Sequence, residues 1–111
     1  MNSNERRVVF LCTVCKVIAR CSEEGLEFMP FRFYGTKKEQ ERYFKDGKSL
    51  TRNSKHERWL AIDFALIKNG EVSWEDGPEY KRLGEIAEEE GLAWGGRIKK
   101  LNDIYHIEYK E

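Results

Sequence analysis

Net charge is the first thing this chain lacks: twenty basic and twenty acidic residues cancel over 111 positions. No global field therefore draws it to nucleic acid or to an anionic membrane, and any substrate must be recognised locally. A long apolar run is missing too. Arg6-Arg7-Val8-Val9-Phe10-Leu11-Cys12-Thr13-Val14-Cys15 imitates a signal peptide, but Lys16 and Arg20 interrupt it and no small-residue cleavage site follows. Leu11, Val14, Ile18 and Cys21, spaced by three and four, instead predict an amphipathic helix within residues 1–25, packed on the core. The chain is then expected to be made in the cytoplasm, without a signal peptide and without membrane insertion. Cysteine is scarce: after Cys12, Cys15 and Cys21, no second Cys-x-x-Cys or Cys/His pair completes a four-ligand zinc site. A redox pair would follow a strand and open a helix, whereas this pair falls inside a helical run. Buried free thiols are the expected state. Repeats, linkers and low-complexity tracts are also absent, and the length allows one domain, 1–111, with at most one active site.

What is present reads as a small α+β domain. Thr36-Lys37-Lys38-Glu39 has the form of a capping box, opening a helix that carries Gln40, Tyr43 and Phe44 and stops at Gly47. Leu60 to Lys68 alternates as a strand, Asn69-Gly70 signals a tight hairpin, and Glu71 to Trp74 returns beside it. Pro78 opens a further helix, in which Tyr80, Leu83, Ile86 and Ala87 form an apolar stripe while Glu85, Glu88, Glu89 and Glu90 face water, until Gly91 ends it. Ile104 to Tyr109 reads as a last strand.

Histidine occurs twice, as His56 and His106. Strand parity gives the two a joint meaning. Leu60, Ile62, Phe64 and Leu66 share one face of the first long strand, and Asp63 shares the other with Ala61 and Ala65, whose small side chains leave room beside the carboxylate. His106 and Glu108 share a face of the last strand. If the two strands lie near each other in one sheet, Asp63 and His106 converge above it and His56 folds over them from the preceding loop. Two imidazoles and a carboxylate, with a fourth position open, are the ligand set of one catalytic zinc ion, and such a set also accepts cobalt, manganese or nickel.

Ser54-x-His56-x6-Asp63, Trp94-Gly95-Gly96 and Asp103-x-x-His106-x-Glu108 together resemble the peptidoglycan-cleaving zinc peptidases, a family of D-Ala-D-Ala carboxypeptidases, vancomycin-resistance dipeptidases and phage L-alanyl-D-glutamate endopeptidases. The resemblance runs from 31 to 109, through the Glu39-Gln40 helix, the Gly47-Lys48-Ser49 turn and the Leu83-Gly84 helix. It implies a small antiparallel sheet flanked by helices, of the hedgehog and D-Ala-D-Ala-peptidase type. It makes His56, Asp63 and His106 zinc ligands, Asp103 the general base, and Ser54 a residue that binds substrate or orders its loop. Glu108, by parity, orients a ligating imidazole, with the base as its second reading. Trp94, Gly95 and Gly96 are similar to a cleft wall for an extended peptide, with core packing as the competing reading.

Two departures stand out. Trp59 replaces a glycine usual after Ser-x-His-x-x, and Gly35, in Phe33-Tyr34-Gly35-Thr36, replaces an arginine. Losing a charge-assisted hydrogen bond costs roughly 1.5–3 kcal/mol, so Arg32 or Arg97, each beside one of the motifs, is a candidate substitute cation. The expected function is hydrolysis of peptidoglycan stem peptides or muropeptides by a monomeric zinc metallopeptidase, an endopeptidase of phage or prophage type before a carboxypeptidase. If lytic, the enzyme acts on the wall after release, with a partner such as a holin. Two alternatives stay open: a zinc domain that binds cell-wall peptide or a protein partner without turnover, and a Cys12/Cys15 redox module.

Overall fold

The computed structural model describes residues 1–47, 54–97 and 102–111. Helix α1 (Ser3–Glu23) begins at a capping box, in which the Asn2 side chain accepts from the Glu5 N–H and the Glu5 carboxylate accepts from the Asn2 N–H. Strand β1 (Glu27–Arg32) follows, then helix α2 (Lys37–Lys45), where Thr36 and Glu39 form the expected reciprocal cap. A single 3-10 turn (Lys55–Arg58) leads into the long strand β2 (Ala61–Lys68). Asn69 and Gly70, both at positive φ, turn the chain into β3 (Glu71–Ser73). Helix α3 (Pro78–Glu89), the two-residue strand β4 (Ala93–Trp94), a second 3-10 turn (Gly95–Arg97) and strand β5 (His106–Glu108) complete the order. The Lys48-Ser49 part of the expected turn lies outside the described residues.

All pairings in the sheet are antiparallel, and β2 is its axis. One edge of β2 takes β1. The other is shared by β3 at its far end and β5 at its near end, and β4 pairs with the outer side of β5. Leu60, Ile62, Phe64 and Leu66 enter the core as their parity requires, meeting Tyr80, Leu83, Ile86 and Ala87 of α3. Tyr80, fully buried, donates its hydroxyl to the Ser73 carbonyl (2.6 Å) and accepts from the Leu66 N–H (2.8 Å), so α3 is pinned to the hairpin through satisfied polar atoms.

Helix α1 meets the core through a stripe that keeps Val14 and Cys21 of the expected one but has Phe10 and Val17 in place of Leu11 and Ile18. Phe10, Val14, Val17 and Cys21 are buried, whereas Leu11 is exposed and Ile18 only half-buried. Both stripes have helical spacing, and the larger Phe10 wins the inward position, packing edge-on against Phe33. The same rotation corrects the cysteines: Cys21 is buried, but Cys12 and Cys15 are exposed. The acidic end of α3 is paired as well as wet, with Arg20 of α1 bridging Glu89 and Glu90, and Arg97 bonded to Glu88. None of the described helices is long and apolar enough to cross a membrane.

Candidate metal centre

The site is built on register. Asp63 of β2 stands opposite His106 of β5, and directly opposed residues of adjacent strands project to the same face. His106 Nδ1 lies 2.9 Å from Asp63 Oδ1. His56, 2% exposed on the 3-10 turn, reaches the same oxygen with Nε2 at 3.3 Å. One ligand atom from each of the three lies within 4.8 Å of the others, and this is the group among the described residues that could hold a metal ion.

Each imidazole is oriented from behind. His56 Nδ1 is 3.0 Å from the Phe33 carbonyl; a carbonyl only accepts, so Nδ1 carries a proton and Nε2 is the nitrogen that faces Asp63. The turn bearing His56 is capped by Ser54, whose Oγ accepts the His56 N–H at 3.1 Å, and tied to the chain after β1 by the Gly35 N–H, which donates to the His56 carbonyl. His106 Nε2–H donates to Glu108 Oε1 (2.8 Å), leaving Nδ1 to face Asp63. Glu108 is in turn fixed by Lys55 Nζ on its other oxygen, at 2.5 Å. Two imidazoles with their outer nitrogens committed, and one carboxylate, fit a zinc ion by donor chemistry.

The electrostatics follow from this packing. Burial raises the Asp63 pKa, but hydrogen bonds from His106 and then His56 outweigh it and hold the carboxyl at about 2. Burial lowers the His106 pKa, but the bonds to Asp63 and Glu108 win and raise it to about 10. Glu108 is likewise brought to about 2 against its burial, by His106 and Lys55. Asp103 moves the other way: burial, then the nearby Asp63 charge, push its carboxyl above the ordinary aspartate range. Asp103 and Asp63 line one cleft of about 440 Å³ with Phe31, Trp74 and Tyr105. That cleft joins an acid with a raised pKa to an apolar aromatic wall, in which Tyr105 stacks edge-on against Trp74 and donates its hydroxyl to the Trp74 carbonyl.

The other sequence candidates separate. Trp94 packs in the core: it is buried, its Nε1–H donates to the Ile104 carbonyl (2.9 Å), and its indole lies flat on Gly84 and Gly96, where a Cβ would come within 2.0 Å and 2.3 Å of ring atoms, while with Gly95, Arg97 and Glu108 it also borders a second cleft of about 210 Å³. Gly96 is therefore a packing residue. Gly95 does touch the centre, since a Cβ there would meet the Asp103 carbonyl at 2.4 Å and the His106 Cβ at 3.0 Å. Arg97 is engaged by Glu88 and lies over the Trp94 ring, so it is no free cation for the cleft. Arg32 stands opposite Asp63 in the sheet. The Phe33 carbonyl, Lys55 and the Phe31, Trp74 and Tyr105 wall escape the sequence reading. Lys55, beside His56, had proximity as its only signal, and a backbone carbonyl has none.

The fold is thus a small antiparallel sheet carrying a His/Asp/His cluster that could hold a metal ion, beside a half-buried aspartate. The comparisons add the family. The D-alanyl-D-alanine carboxypeptidase family model matches residues 48–109, more than half of the chain, and the chain belongs to this family of peptidoglycan zinc peptidases. It is 31% identical over 108 residues to the peptidoglycan L-alanyl-D-glutamate endopeptidase CwlK of Bacillus subtilis (strain 168), the match covering 81% of this chain and 65% of that relative's length. Among solved structures it is similar to the Serratia marcescens L-Ala D-Glu endopeptidase ChiX, with a TM-score of 0.65 and 27% identity over 77% of this chain and 68% of that one.

Proposed function

We propose that this chain is a zinc-dependent peptidase that hydrolyses the L-Ala–D-Glu bond of peptidoglycan stem peptides. The observation that carries the reading is the register of β2 and β5. It sets Asp63 beside His106, brings His56 onto the same oxygen, and leaves Asp103 in the adjoining cleft. The names of the two relatives favour the endopeptidase over removal of terminal D-Ala.

In this reading His56 Nε2, Asp63 and His106 Nδ1 hold the ion. Zinc, when bound, supplies the Lewis acidity that activates water and polarises a peptide carbonyl. Asp103 accepts the proton of the attacking water and returns it to the leaving amine, and its raised pKa makes it a stronger base than an exposed aspartate. Glu108 and the Phe33 carbonyl hold the two imidazoles in the tautomers that face the ion. Ser54 orders the His56 turn. The aromatic wall gives an extended peptide an apolar surface beside Asp103.

The test is incubation of the zinc-loaded protein, with a chelator-treated control, on purified peptidoglycan and soluble muropeptides, reading new termini by mass spectrometry. Chelator-sensitive release after L-Ala is expected. Asp103→Asn should keep its metal and lose roughly 10²–10⁴-fold in turnover. Intact substrates with zinc in place would overturn the reading in favour of a binding domain.

A further inference from the structure

Arg32 ends β1 at a fault in the sheet. Pro30 pairs with Phe64; continued regularly, that register would set Phe31 opposite Asp63 and send Arg32 toward the core beside Ile62. Instead the pairing shifts and Arg32 stands opposite Asp63. A bulge re-aims the side chains that follow it, and this one puts Arg32, Asp63 and His106 in a row on one face of three adjacent strands.

Although it starts opposite Asp63, the guanidinium does not pair with it. It covers Gly35 so closely that a Cβ there would lie 2.0 Å from Nη2, and it sits 5.0 Å over the Tyr43 ring. Nε and Nη2 are buried without a hydrogen-bond partner. Glu39, the carboxylate whose charge state Arg32 influences, uses Oε1 on the Thr36 N–H and hydroxyl. Guanidinium nitrogens buried without an acceptor are costly, and the planar fork suits a carboxylate. The cost is recovered if the acceptor arrives with the substrate.

We propose that Arg32, given room by Gly35, is the residue that selects substrate by a free carboxylate next to the scissile bond. The proposal rests on the peptidase reading. A glutamate whose side-chain carboxyl continues the peptide keeps its α-carboxylate free, directly beside the nitrogen released by cleavage, and this is the group Arg32 receives. The guanidinium itself lies over Gly35 and Tyr43 and not on the metal ligands, so its effect falls on recognition.

Two isomeric dipeptides of equal charge test it: L-Ala-D-Gln, with a free α-carboxylate, and L-Ala-D-isoglutamine, with a free γ-carboxylate. Each is titrated by NMR into the full chain after chelator treatment, so that binding is measured without cleavage. Wild type should prefer the α-carboxylate isomer by about tenfold or more. Arg32→Gln should lose the preference, Arg32→Lys should keep part of it, and Gly35→Ala, which displaces the guanidinium, should lose it with Arg32 intact. Equal binding of both isomers by wild type, or a preference that survives in Arg32→Gln, overturns the proposal. So does Arg32-dependent binding of D-Ala-D-Ala at equal strength, which would assign the residue to a terminal carboxylate. Cleavage of muropeptides is scored separately, so a protein that shows the preference but cuts nothing refutes the peptidase reading and leaves the carboxylate site standing.

Discussion

Trp59 shows how a single residue can carry a conformational cost for the sake of a site. It adopts φ 59° and ψ 34°, the left-handed region, immediately after the turn that bears His56. A side chain there costs about 1 kcal/mol relative to glycine, which explains why glycine is usual at this place in the family. The indole offsets the cost by stacking on Tyr34 at 4.7 Å and meeting Phe33 edge-on at 5.2 Å; Phe33 is the residue whose carbonyl holds His56. The two contributions separate by mutation. Trp59→Ala loses the stacking and keeps the strain, whereas Trp59→Gly loses both. The glycine variant should therefore be the more stable of the two by about 1 kcal/mol, read from denaturant midpoints. A glycine variant no more stable than the alanine variant would show that the left-handed turn carries no strain.

Between elements, α3 fits closely against β4. Gly84 lies inside α3, where alanine would ordinarily favour the helix by roughly 0.5–1 kcal/mol, yet a Cβ would stand 2.0 Å from Cδ2 of the Trp94 indole. The indole is rigid, fixed by its bond to the Ile104 carbonyl, so overpacking outweighs propensity. Gly84→Ala should destabilise the fold by about 1–3 kcal/mol, and a thermal melt at or above that of wild type would contradict this. Elements governed by local chemistry were legible in the sequence. Asn69-Gly70 supplies the two positive φ angles its hairpin needs, Thr36 and Glu39 cap α2, and parity along β2 put Asp63 opposite the core face. What depended on tertiary choice was not legible. Leu11 and Phe10 head equally helical stripes, and only the partner surface selects Phe10. Nothing at Phe31 marks a bulge, because no glycine is needed there, and Trp94 beside two glycines reads equally well as a wall or as a plug.

Across the whole molecule, a proton would compete with bound metal for His106. Its pKa is raised to about 10, so in chelator-stripped protein the imidazolium contributes stability that is complete below the unfolded value near 6.5. That contribution is lost as pH rises toward 10. Thermal midpoints of stripped protein should fall between about pH 6.5 and 10, while zinc affinity rises up to tenfold per pH unit as one proton less must be displaced. Protein saturated with zinc should not show this fall. Calorimetry in buffers of different ionisation enthalpy would count the displaced proton; a count of zero would remove the competition.

The three side chains of the candidate centre are also spread unevenly along the chain. His56 and Asp63 are near neighbours, but His106 follows Asp63 by 43 residues, an interval containing β3, α3 and β4. An ion shared among them would join the two ends of that interval as a covalent bridge does. By the chain-entropy reasoning applied to disulfides, such a closure withholds about 4 kcal/mol of freedom from the unfolded chain. Metal bound there would make the centre a clasp as well as a site, fastening strand β5, only three residues long, to the sheet.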